Sequence, residues 1–148
     1  RCRIGACWRQ RAHHGRVVTG AIAVGARPFL IAFNVNLATR DITIARQIAR
    51  TVRARHGGLP FVKALGFELS TRGLVQVSMN LVNYESTGMT AAYNAVRDEA
   101  RRLGVEIAGT EIVGLVPQNA LDQSAEYFQK LENFSEDKIL ENRLKICG

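Results

Sequence analysis

From Leu74 to Glu85 the chain reads Leu-Val-Gln-Val-Ser-Met-Asn-Leu-Val-Asn-Tyr-Glu. With a period of two, Val75, Val77, Met79 and Leu81 fall on one side and Gln76, Ser78 and Asn80 on the other. This predicts a strand with an apolar back and a front of short, uncharged groups that both donate and accept hydrogen bonds. Phe29 to Leu37 repeats the pattern, with Phe29, Ile31, Phe33, Val35 and Leu37 on one face and Leu30, Ala32, Asn34 and Asn36 on the other. Asparagine is a poor strand former, so two in so short a strand ask for a reason. Edge or turn chemistry is one, and a surface meant for a polar ligand or another protein layer is the other.

The segments between these strands have helical spacing. Asp41 is placed to cap a helix whose apolar stripe is Ile42, Ala45, Ile48, Ala49 and Val52, stopped by Gly57-Gly58. Phe61 to Leu69 reads as a strand with Phe61, Leu65, Phe67 and Leu69 as its apolar positions, and Ser70 to Gly73 turns it into the 74–85 strand as a hairpin. Met89, Ala92, Tyr93, Val96, Ala100 and Leu103 make a second helical stripe ended by Gly104, and Val105 to Pro117 reads as a buried strand interrupted by Gly109 and Gly114. Glu111 is the odd residue in it, either paired with an arginine or aimed at a ligand. The tail predicts helices, one with a stripe of Leu121, Ala125, Phe128, Leu131 and Phe134, and a last one starting near Ser135 and carrying Ile139, Leu140, Leu144 and Ile146.

The order strand, helix, strand, strand, helix, strand is that of an α+β, ferredoxin-like βαββαβ antiparallel sheet with two helices on one face, here followed by C-terminal helices. The apolar positions must face the helices, so Asn34, Asn36, Gln76, Ser78 and Asn80 are expected on the helix-free face.

Composition refines this picture only in places. The net charge of +7 favours nucleic acid as a partner, but five arginines (Arg1, Arg3, Arg9, Arg11, Arg16) lie in residues 1–19, which hold no acid. Arg46, Arg50, Arg53 and Arg55 fit the solvated side of the first helix. An RNA-recognition sheet stacks bases on aromatics where this one carries amides, so no nucleic acid is expected. No run approaches the roughly 18 apolar residues of a membrane span. Three cysteines at the chain ends (Cys2, Cys7, Cys147) form neither a disulfide framework nor a zinc signature, which fits a reducing, cytoplasmic setting. The adjacent His13 and His14 are read as part of a basic arm rather than a metal or catalytic pair, and no metal site is expected. No phosphate loop, dinucleotide fingerprint or serine elbow is present.

Three stretches carry a resemblance: Gly25-Ala-Arg-Pro-Phe-Leu-Ile-Ala-Phe-Asn-Val-Asn-Leu37, Val75-Gln-Val-Ser-Met-Asn-Leu81 and Gly109-Thr-Glu-Ile-Val-Gly-Leu-Val-Pro117. In order and spacing the chain from about residue 20 to 145 resembles the C-terminal subdomain of glutamate formimidoyltransferase (formiminotransferase). The resemblance implies a transferase of histidine breakdown that moves the formimino group from N-formimino-L-glutamate to tetrahydrofolate, its co-substrate. It also implies a partner, an N-terminal ferredoxin-like subdomain carrying the catalytic histidine, with folate in a tunnel between the two. A homodimer is a further option.

Within this chain the folate-contacting residues are then Gly20, Asn34, Asn36, Gln76, Ser78 and Asn80. None of His13, His14 or His56 lies in a matching motif, so no catalytic residue is carried over. Residues 1–19 depart from the family pattern and are expected to be a basic arm outside the fold, from a frameshift or a mis-called start, with 20–148 as the subdomain. The expectation is a folate-binding half, inactive alone. The alternative is a stand-alone binding or assembly module that docks a partner through the polar sheet face.

Overall fold

The structure, a computed structural model, describes Gly25 and residues 28–146. The arm at 1–19, Gly20 and the three cysteines lie outside the described residues. Four strands, β1 (Ile31–Leu37), β2 (Val62–Leu69), β3 (Leu74–Leu81) and β4 (Ile107–Val113), form one antiparallel sheet in the order β2-β3-β1-β4. Helix α1 (Ile42–Val52) follows β1, and α2 (Met89–Arg102) follows β3. This is the ferredoxin-like βαββαβ order, and the two central strands carry both asparagine-bearing sequences.

The alternation in β1 and β3 sorts as expected. Ile31, Phe33, Val35 and Leu37 pack with Val75, Val77, Met79 and Leu81 against both helices, all fully buried. Asp41 caps α1 by accepting from the Thr43 backbone N–H (2.8 Å) and hydroxyl (2.6 Å), and Ala45, Ile48, Ala49 and Val52 face the sheet. The α-helix ends at Val52, and a 3₁₀ turn at Ala54–His56 intervenes before the glycine pair.

Strand β2 corrects the sequence reading. Its core positions are Val62 and Ala64, whereas Leu65 and Phe67 are 57% and 49% exposed, and Phe61 sits before the strand at φ 60° and is 47% exposed. Register is the reason. Leu65 pairs with Ser78 and Phe67 with Gln76, and directly paired residues share a face. The other face carries Gly66, where a Cβ would meet the Arg46 backbone N at 2.6 Å, so α1 lies too close for a larger residue.

The tail also differs from expectation. Instead of two regular helices it holds a single turn, α3 (Glu126–Gln129), and a short α4 (Leu140–Ile146), because its backbone is used elsewhere. The Thr110 N–H donates to the Lys130 carbonyl and the Glu132 N–H to the Thr110 carbonyl, both at 2.8 Å. The Val116 N–H likewise donates to the Lys138 carbonyl (2.8 Å). These parallel bridges cover the β4 edge, which would otherwise present unpaired backbone groups. Tyr127 anchors the segment, fully buried and edge-on to Phe33 at 5.5 Å between ring centres. Glu126 adds a second anchor by accepting from the Tyr93 hydroxyl (2.9 Å) and Arg97 (3.0 Å). Burial, and then the hydrogen bond to Glu126, pushes the Tyr93 phenol up to about 12, so it stays a donor.

Candidate functional site

The helix-free face is built in three rows. Asn36 lies between Gln76 and Gly109, with Phe67 beyond Gln76. Asn34 lies between Ser78 and Glu111, with Leu65 beyond Ser78. Ala32 lies between Asn80 and Val113, with Lys63 beyond Asn80. Five of the six sequence-predicted site residues therefore share one surface, and Gly20 lies outside the described residues.

The rows grade from covered to open. Asn36 is 1% exposed, Asn34 and Gln76 are also buried, Ser78 is half-buried and Asn80 is exposed. Gln76 Nε2 donates to Asn36 Oδ1 at 2.8 Å, and Asn34 Nδ2 donates to Glu111 Oε2 at 3.2 Å. Among the described residues this leaves Asn34 Oδ1 and Asn36 Nδ2 buried without a full hydrogen bond, an unusual condition for polar atoms. Of the two fates read for Glu111, an arginine pair does not form among the described residues. Its polar contact is the Asn34 amide.

A clasp closes the Asn36 end. Leu131 pairs with Thr110 on the helix side, so the next residue, Glu132, turns its side chain to the opposite face. There its carboxylate lies over Gly109, in the space a Cβ would fill. Arg72, from the β2–β3 turn, grips it with two parallel bonds of 2.7 and 3.0 Å. Those bonds chiefly hold the Glu132 carboxyl below its ordinary range, and the Asn36 amide adds to the pull from just outside hydrogen-bond geometry.

At the other end the face runs into a hollow of about 610 Å³ lined by Leu65, Phe67, Lys63, Ser78, Asn80 and the Arg53–Arg55 turn. Arg53 and Arg55 thus do more than solvate α1. Arg53 Nη2 lies 2.8 Å from His56 Nε2, and desolvation together with Arg53, Arg50 and Arg55 pushes that imidazole down, so the neutral ring accepts the bond. The sequence pattern pointed to neither the apolar pair, the basic rim nor the Arg72–Glu132 clasp. The hairpin register was the signal that would have brought Leu65 and Phe67 to this face.

The described residues contain no group of three or more His, Cys, Asp or Glu side chains able to hold a metal, and no helix among them is long and apolar enough to cross a membrane. What the face offers is a surface of neutral donors and acceptors, a carboxylate bonded to the Asn34 amide, and an apolar, basic-rimmed hollow beside it. Such a set suits binding and orientation rather than proton transfer.

Comparison with known proteins identifies the family. The formiminotransferase domain profile matches residues 32–147. The chain is 50% identical over 126 residues to a glutamate formimidoyltransferase of Thermoplasma acidophilum, covering 85% of this chain and 42% of that protein. It is 47% identical over 126 residues to the Streptococcus pyogenes serotype M1 protein of the same name, covering 84% and 42%. It is 43% identical over 135 residues to a formimidoyltransferase-cyclodeaminase of Dictyostelium discoideum, covering 86% and 25%. The chain thus spans less than half the length of these relatives, which are named as transferases. By the extent of the matched profile and by these identities, it belongs to the formiminotransferase domain family.

Proposed function

We propose that this chain is the folate-contacting half of a glutamate formimidoyltransferase. The reaction passes the formimino group of N-formimino-L-glutamate to tetrahydrofolate. The N5 nitrogen attacks the amidine carbon, the bond from that carbon to the glutamate nitrogen breaks, and the proton shed by N5 ends on the departing amine. Two substrates must be held together and a proton must be carried between two nitrogens. The helix-free face serves the first task, with Asn34, Asn36, Gln76, Ser78 and Asn80 lining the folate wall and Gly20 in the segment leading to it. The single observation that carries this reading is the burial of three amide side chains on the face that the helices leave free.

The second task belongs to an N-terminal subdomain packed over this face, which brings the catalytic histidine. His56, held by Arg53 at the α1 end of the hollow, is not assigned to it. The 148-residue chain is accordingly expected to have little or no transferase activity on its own, and measurable turnover by the purified chain would refute that. The reading sets the reaction in the cytoplasm, within histidine degradation.

A second reading, an assembly module that docks a partner through the same face, draws on the exposed Leu65, Phe67 and Val113 beside the amides. Titration with folinic acid separates the two. Saturable binding weakened by Gln76→Leu or Asn80→Leu supports the folate wall, and binding that appears only after a second chain is added supports assembly.

A further inference from the structure

Glu111 stands in the middle of β4 on the helix-free face, half-buried, with no lysine or arginine in ion-pair contact among the described residues. Arg72 feels its field but commits both terminal nitrogens to Glu132. A half-buried carboxylate whose nearest arginine is committed elsewhere, and which one neutral amide serves with a bond to a single oxygen, keeps acceptor capacity for a ligand. That bond, from Asn34 Nδ2, goes to Oε2, and Oε1 receives none among the described residues. A buried acceptor on the same face, Asn34 Oδ1, also lacks a partner among the described residues. That atom belongs to a residue only 7% exposed, whereas the Asn36 amide is turned toward the Glu132 carboxylate.

We propose that Glu111 binds the N–H-rich edge of the pterin, a 2-amino-4-oxopyrimidine, with Asn34 as the positioning residue that fixes the carboxylate. The assignment rests on the folate reading above and adds to it a named residue and a named part of the ligand. The chemistry matches in sign. That pyrimidine edge presents an amino group and a ring N–H side by side, which a carboxylate accepts as a pair. The face supplies that carboxylate at Glu111, with Asn34 Oδ1 beside it as a further acceptor. The formimino group, an amidine, also presents N–H donors, and the titration below separates the two.

The test is calorimetric titration of the 148-residue chain and its Glu111→Gln variant with folinic acid, pterin-6-carboxylate, p-aminobenzoyl-L-glutamate and N-formimino-L-glutamate. Glutamine keeps the shape and can still accept from Asn34, so an unchanged melting temperature shows that the fold is intact. The variant is expected to bind folinic acid and pterin-6-carboxylate about ten- to a hundredfold more weakly, as loss of a charge-assisted pair implies, with p-aminobenzoyl-L-glutamate unaffected. Equal affinities of variant and parent for both pterins overturn the assignment and leave the folate reading standing. Weakening confined to N-formimino-L-glutamate or p-aminobenzoyl-L-glutamate overturns it too. No uptake of folinic acid by the parent chain contradicts the folate reading itself, and the assignment falls with it.

Discussion

The carboxylate of Glu132 occupies the space where a side chain on Gly109 would stand, which ties the tail to the polar face at a point the sequence separates by more than 20 residues. Gly109→Ala must expel that carboxylate from the Arg72 grip. The melting temperature of Gly109→Ala is expected to fall, as is that of Glu132→Ala. The double variant should lose clearly less than the two losses added, because each change removes the same contact. Additive losses would show that the two residues do not meet.

Much of this site was legible in the sequence, for a reason particular to the central strands. β1 and β3 are each flanked on both sides, so their period of two survives intact from Ile31 to Leu37 and from Val75 to Leu81. β2 is an edge strand, and there Phe61, Leu65 and Phe67 formed the stronger apolar pattern although Val62, Ala64 and Gly66 face the helices. Amphipathicity alone does not tell an oily core face from an oily exposed one. The Arg72–Glu132 clasp joins residues 60 positions apart and leaves no local pattern to read. The tail looked helical because its apolar spacing is helical, but its backbone completes the β4 edge.

The exposure of Leu65 separates the two views of β2 in energy. Leu65→Ser should change unfolding free energy by no more than about 0.5 kcal/mol, since little apolar surface is regained by water. Phe33→Ala, beneath Tyr127, should cost about 3–5 kcal/mol. Gly66→Ala should cost roughly 1–3 kcal/mol, because the obstacle is helix backbone that cannot rotate away. Chemical denaturation of the three variants checks the ranking, and a Leu65→Ser loss as large as that of Phe33→Ala would contradict the register.

Acid should loosen the tail. Arg72 lowers the Glu132 carboxyl, and Arg97 with Tyr93 lowers that of Glu126, both from an ordinary value of 4.5. For a depressed carboxyl the stabilisation is present above the unfolded value and is lost as pH falls through the folded one. Melting temperature should therefore vary little on this account from neutral pH down to about 4.5 and then decline. Glu132→Gln and Glu126→Gln should each start lower at neutral pH and decline less steeply. Parallel curves for parent and variants would show that these two carboxylates carry none of the acid sensitivity.

The most direct test of the folate wall is to follow the amide resonances of the isotopically labelled chain while folinic acid is added. The account predicts that the side-chain amide signals of Asn34, Asn36, Gln76 and Asn80, and the backbone signals of Ser78 and Glu111, move together and saturate, while those of α1 and α2 stay in place. Saturable shifts confined to the two helices, or no shift at any ligand concentration, would contradict it.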